Sequence, residues 1–234
     1  VEPRVDVFAP EGAPVRAVVL VLHGGRERGF DPVRRRQLAF LRMVPFARAL
    51  RAKGAKHGLA VWLLRYRVRG WNAPDLDPVR DAEWTLAQIG RLHPGVPVVL
   101  VGHSMGGRVA FRVAAHPLVV AVCGLAPWLL PGEPVSQLAG RSVLIAHGDR
   151  ERMTDPAQSY QYSVRAKAIT HRVARFVVLG DGHAMLRRAA DWTRLVTAFV
   201  LGELGFEPMT PAIANAMDET APLGLDVPLG GARG

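Results

Sequence analysis

The chain has 234 residues and 25.4 kDa, 49% of them hydrophobic and 21% charged, which excludes a disulfide-stapled mini-protein and a disordered chain. One cysteine, Cys123, excludes an internal disulfide and a thiolate cluster, and no apolar run reaches the ~18 residues that span a bilayer. The formal charge is +10, and 27 of the 30 basic residues are arginine, a balance that attracts anions but says nothing of fold.

Val15 to Leu22 is a β-branched apolar run that leaves the core through His23-Gly24-Gly25 and so reads as a buried strand. Gln37 to Lys53 carries Leu38, Leu41, Phe46, Ala49 and Leu50 at helical spacing, and Pro45 predicts a kink within it. Leu59 to Leu64 is the next strand, Pro78 to Leu92 the next helix, and Val96 to Val101 a valine-rich strand that ends at Gly102. Arg108 to Ala115 is predicted helical and stops before Pro117. Val119 to Leu125 and Ser142 to Ala146 read as strands, Pro156 to Ala168 as a helix and Arg175 to Leu179 as a strand. A last long helix is expected from about Leu186 to Leu201.

Strands that are apolar on both faces and alternate with helices predict an α/β protein. Its sheet should be mostly parallel with helices on both sides, a three-layer sandwich, because parallel strands need crossover connections. No internal repeat or composition break divides residues 1–206, so one domain is expected there. Residues 207–234 form a Pro-, Gly- and Ala-rich acidic tail that is expected either to dock on the body or to stay mobile. Thr210-Pro211 could start a short helix through Asn215 and Met217. The N-terminus has no basic start followed by an apolar stretch, so a cytoplasmic protein is the expectation.

The strongest chemical signal is Gly102-His103-Ser104-Met105-Gly106, a Gly-x-Ser-x-Gly placed between a buried strand and a helix. In that setting the turn is so tight that side chains two positions either side of the serine would strike neighbouring backbone, which explains the two glycines. Ser104 would then stand above the carboxyl edge of the sheet, with a helix N-terminus beneath it. A hydroxyl alone is a weak nucleophile and needs a base.

With these motifs the sequence resembles the α/β-hydrolase family over residues 15 to 202. The resemblance implies the chain order nucleophile, acid, histidine. His183, in Gly180-Asp181-Gly182-His183 after an apolar strand, matches the histidine. The family pattern His-Gly-x-x-Asp-x-x-Thr-x-Pro, registered on His147, Gly148, Thr154 and Pro156, puts Glu151 where most relatives have aspartate; Asp149 stays open as the alternative. His23-Gly24-Gly25 matches the oxyanion loop, so the backbone N–H groups of Gly25 and Met105 are the implied donors. The implied activity is hydrolysis of a small carboxylic ester or thioester through an acyl-enzyme, with no cofactor.

Other readings are blander. His23, His103 and His147 are expected to be structural, and the eight histidines show no ligand spacing, so no metal is expected. Arg26, Arg28, Arg34, Arg35, Arg36 and Arg42 follow the oxyanion loop and read as a solvated basic face. Trp71 and the Trp128-Leu129-Leu130 cluster suit either core packing or an acyl wall, and the short stretch between Leu125 and Ser142 leaves room only for a small cap. A silent ligand-binding member of the fold is the second functional reading, and loose anion attraction without specific nucleic-acid recognition the third. The oligomeric state is not legible.

Overall fold

A computed structural model of the chain describes residues 2–10 and 12–230. Eight strands form one sheet: β1 (Arg4–Phe8), β2 (Ala17–Leu22), β3 (Leu59–Arg65), β4 (Val98–His103), β5 (Val119–Leu125), β6 (Ser142–Gly148), β7 (Val173–Val178) and β8 (Val227–Leu229). Their order is β1-β3-β2-β4-β5-β6-β7-β8, with β1 antiparallel to β3 and every other pairing parallel. The helices are α1 (Leu38–Leu41), α2 (Val44–Gly54), α3 (Asp77–Leu92), α4 (Met105–Arg112), α5 (Pro156–Lys167), α6 (Ala189–Glu203) and α7 (Pro211–Asp218).

The central strands are buried along their whole length because both faces are covered. Alternate residues feed two cores. Val19, Val21, Val61 and Val101 pack with Phe46, Trp192 and Phe199 from α2 and α6. Val18, Leu20, Leu100 and Ile145 pack with Leu86, Phe111 and Tyr162 from α3, α4 and α5. Such two-sided burial is the physical content of the expected α/β sandwich, which is the fold observed.

Three elements differ from expectation, the helix over Gln37 to Lys53 and the two edge strands β1 and β8, while the tail docks, one of its two expected states, and carries the short helix expected after Thr210. The helix foreseen over Gln37 to Lys53 is two helices, because Pro45 occupies the first turn of α2, where its missing N–H costs nothing, rather than bending a continuous helix. The antiparallel edge strand β1 was not foreseen; its five residues, RVDVF, are none of them fully buried. The tail, through residue 230, supplies α7 and the edge strand β8, which pairs with β7. Polar ties hold it: Lys167 Nζ donates to the carbonyls of Val173 (2.8 Å) and Ala216 (3.2 Å), and buried Arg175 pairs with Asp226 at 2.9 Å. Residues 231–234 of that tail lie outside the described residues.

All parallel strands end at one edge. There β2 runs into His23-Gly24-Gly25, β4 into Ser104, β6 into the loop that carries Glu151, and β7 into the loop that carries His183. The strand order reverses between β2 and β4, the crevice where open α/β sheets bind ligands. Four distant parts of the sequence thus converge there for topological reasons.

Candidate active site

Ser104 joins β4 to α4 with φ 55° and ψ −120°, a conformation that costs a non-glycine residue of order 1–3 kcal/mol and persists only where packing enforces it. The enforcing contacts are backbone on backbone. A Cβ on Gly102 would lie 2.2 Å from the carbonyl oxygen of Gly106, and one on Gly106 would lie 2.4 Å from that of Leu22. Any side chain at either position would push the turn off the sheet. Met105 opens α4, so its N–H belongs to the first turn, which has no intrahelical acceptor.

The loop after β2 packs against this turn. A Cβ on Gly24 would stand 3.3 Å from Ser104 Cβ, and one on Gly25 only 2.5 Å from Met105 Sδ and 2.6 Å from the Arg69 carbonyl oxygen. His23 holds the loop from inside the core: Nδ1 donates to its neighbour's carbonyl, Gly24 O, at 2.6 Å, and Nε2 accepts from Tyr66 N at 3.4 Å. Burial lowers its pKa to about 4, which keeps the ring neutral and gives it one donor and one acceptor, as those bonds require.

On the other side of the crevice His183 Nδ1 lies 2.9 Å from Glu151 Oε2. The other carboxylate oxygen, Oε1, accepts from the backbone N–H groups of Arg152 and Met153, both at 2.7 Å. The Glu151 side chain is fully buried. Burial pushes its pKa up, but the His183 bond and the two backbone donors outweigh it and hold the group down at about 2. His147 Nε2 stands 3.8 Å from Glu151 Oε2, yet burial lowers its pKa to about 4, so it brings no competing charge at neutral pH. It bonds instead to Ser159 and Thr154, at 2.9 and 3.0 Å.

The structure therefore brings Glu151 and His183 together and sends Asp149 elsewhere. Asp149 is exposed, and its Oδ1 accepts from Gly180 N at 2.7 Å, which ties the loop after β6 to the loop after β7. The His183 loop is also tied to the Ser104 turn. His103 Nε2, from the residue before Ser104, donates to the His183 carbonyl at 2.9 Å, and the two rings lie 4.7 Å apart. Burial drives the His103 pKa well below its ordinary value, so no positive charge from it crowds His183.

Two supports escaped the sequence reading. Asp181 is buried and accepts from Gly182 N, Arg188 N and Trp192 Nε1 at 2.8, 2.9 and 3.0 Å, which fixes both ends of the turn that presents His183. The acid in Gly180-Asp181-Gly182-His183 was the available signal. The second support braces the stretch after β5. Arg108 of α4 sets its guanidinium in the corner formed by Trp71 and Trp128, 4.2 and 4.7 Å from the ring centroids, and bonds buried Glu133 at 2.9 Å. Trp128 N donates to Ser104 O at 3.0 Å, so this cation–π clamp steadies the Ser104 turn from the outside. Leu129 is buried and Leu130 exposed. Residues 126–141 contain only a short 3₁₀ turn, so the cap is small, as expected.

Of the basic run, Arg35 pairs with Asp6 across the N-terminal edge, while Arg26 forms a backbone bridge to Gly70. Arg42 lines an apolar cleft of about 320 Å³ formed with Leu41, Phe46, Met185 and Leu186. A second concavity of about 440 Å³ lies along His183, Arg150, Arg152 and Arg187. Among the described residues no three His, Cys, Asp or Glu side chains converge to hold a metal ion, and no helix is long and apolar enough to cross a membrane.

The fold and the serine turn define an α/β hydrolase. The chain belongs to the alpha/beta hydrolase family, whose sequence profile matches residues 18–231. No curated protein sequence matches it. Among solved structures it is similar to an alpha-beta serine hydrolase homologue from Coxiella burnetii, 18% identical with a TM-score of 0.64 over 84% of this chain and 90% of that one. It is also similar to Est1E from Butyrivibrio proteoclasticus, solved with ferulic acid bound, at 15% identity and a TM-score of 0.66 over 87% and 96% of the two chains. A monoacylglycerol lipase from Paleococcus ferrophilus gives 14% identity and a TM-score of 0.64 over 87% and 100%. At these identities the likeness is one of fold.

Proposed function

We propose that the protein is a serine hydrolase that cleaves a carboxylic ester or thioester of a small molecule, with Ser104 as nucleophile, His183 as general base and Glu151 as the acid that orients it. The observation that carries this reading is the 2.9 Å bond from His183 Nδ1 to the buried carboxylate of Glu151, on the loop that His103 ties to the strained Ser104 turn. A carboxylate held ionised at Nδ1 fixes that nitrogen as the donor and leaves the lone pair on Nε2. Nε2 then takes the Ser104 proton as Oγ adds to the acyl carbon. The oxyanion forms against the N–H groups of Gly25 and Met105, each such donor contributing about 2.7–4 kcal/mol where one has been removed from a protease. Collapse breaks the carbonyl carbon's bond to the leaving oxygen or sulfur, which receives the proton from Nε2. Water, activated by the same nitrogen, adds to the acyl-enzyme and releases the acid.

The chain should cleave a p-nitrophenyl ester of short acyl chain, and a fluorophosphonate should label Ser104. Absence of labelling on folded protein, with a related esterase labelled beside it as control, would favour a ligand-binding protein without turnover.

A further inference from the structure

We propose that the substrate's leaving group carries a phosphate-type anion, received by Arg150, Arg152 and Arg187 in the concavity beside His183. The inference rests on the hydrolase reading and names the substrate class within it. In that reaction His183 protonates the departing oxygen or sulfur, so the leaving group must lie against this histidine. The space along His183 on one side is the concavity of about 440 Å³ lined by the three arginines together with Asp181, Ala184 and Leu186.

Among the described residues none of the three guanidinium groups is paired with a carboxylate; the ion pairs of this molecule involve other arginines. The carboxylates in and beside the wall keep their negative charge, but their oxygens are bonded to other donors. Asp181 spends both oxygens on Gly182 N, Arg188 N and Trp192 Nε1, Glu151 spends its pair on His183 and two backbone donors, and Asp149 accepts from Gly180 N. Arg150 and Arg152 flank Glu151 in the sequence and Arg187 follows the His183 loop, so the two loops that unite acid and base also bring these cations together. Guanidinium groups are suited to phosphate because their planar donors match its oxygens in pairs. The cleft of about 320 Å³ beyond Leu186 is walled by Leu41, Phe46 and Met185, so it suits hydrocarbon and offers an anion little besides Arg42.

The test uses two matched pairs of substrates, each alike except for one phosphate: butyrylglycerol against butyrylglycerol 3-phosphate, and S-acetylpantetheine against S-acetyl-4′-phosphopantetheine. In about 0.15 M salt, which screens distant charge, the phosphorylated member of one pair should have a kcat/KM about tenfold or more higher, through KM. Whichever pair responds separates an oxygen from a sulfur leaving group. In the combined variant Arg150→Gln, Arg152→Gln, Arg187→Gln the ratio within that pair should fall to near one. A control variant, Arg34→Gln, Arg35→Gln, Arg36→Gln, should keep the ratio. Calorimetry of S104A with glycerol 3-phosphate and with 4′-phosphopantetheine gives a readout that needs no turnover, and binding should disappear with the three arginines. Neutral esters cleaved with a ratio near one in the wild type would overturn the anion subsite and leave the hydrolase standing. A ratio lost equally in the control variant would also overturn it, as general charge attraction. If no ester is cleaved the hydrolase reading fails, and the arginine site then stands or falls on calorimetry alone.

Discussion

The two banks of the crevice are built on different physics. On the β2–β4 bank the Ser104 turn and the loop after β2 are set by backbone packed on backbone: Gly102 on Gly106, Gly106 on Leu22, and Gly25 on Arg69. On the β6–β7 bank the positions are set by polar bonds between side chains and loops: Glu151 on His183, Asp149 on Gly180, and Asp181 on Trp192. Close packing is intolerant of added atoms but indifferent to charge. A hydrogen-bonded loop tolerates changes of shape better and is sensitive to which group is ionised. Substitutions should therefore fail in different ways on the two banks, and that contrast can be broken by experiment.

The largest effect belongs to Ser104. Ser104→Ala should lower kcat/KM at least about 10³-fold, as loss of a nucleophile does elsewhere, and leave thermal stability nearly unchanged. Ser104→Gly should be as inactive yet more stable than the alanine variant, by about 0.5–2 kcal/mol in urea unfolding, because glycine tolerates φ 55° without strain. Equal stability of the two variants would mean that the turn stores no strain. Next comes Gly25→Ala, whose new methyl group meets the Arg69 carbonyl, a backbone atom that cannot rotate away. It should displace the proposed oxyanion donor and cost about 10²–10³ in kcat with a smaller change in KM. A variant that keeps full kcat would remove Gly25 N–H from the reaction.

On the opposite bank Glu151→Gln should cost about 10²–10⁴ in kcat, since an amide neither fixes the Nδ1 proton nor stabilises the imidazolium. Asp149→Asn keeps an acceptor for Gly180 N and should change kcat by less than about threefold. The reverse result would reassign the acid.

The contrast between the banks also explains what could be read without coordinates. The nucleophile turn was legible because steric necessity leaves a residue signature, glycine at 102 and 106 between an apolar run and a helix. The family register pointed to Glu151 but left Asp149 open, because both stand on the same short loop. What divides them is the capture of Asp149 by Gly180 N, a contact across 31 positions that no spacing records. Asp181 was quoted in its motif and given no role, since a buried acid with three donors looks in sequence like any loop aspartate. The Arg108 clamp joins segments near positions 71, 108, 128 and 133 and has no local pattern at all. In the fold the central strands were plain from uninterrupted burial, whereas β1 and β8 lie at the edges with five and three residues and lack that signal.

The pH dependence of stability tests whether charge, rather than shape, governs the second bank. Glu151 titrates at about 2 in the folded protein against 4.5 for an ordinary glutamate. A carboxylate whose folded pKa is depressed contributes stability above its unfolded pKa and loses it as pH falls towards the folded value. The stability difference between wild type and Glu151→Gln should therefore be flat above about pH 5.5 and should move against the wild type between about pH 4.5 and 2, by roughly 1–3 kcal/mol. His23, which also titrates in the acid range, is common to both proteins and cancels in the difference, whereas His147 feels the Glu151 charge and so contributes to it. Urea unfolding of the pair at several pH values from 6 to 3 reads this directly. A difference that stays constant over that range would mean the Glu151 carboxylate is held no more firmly in the fold than in the open chain. The acid–histidine bank would then be positioned by loop packing, as the nucleophile bank is.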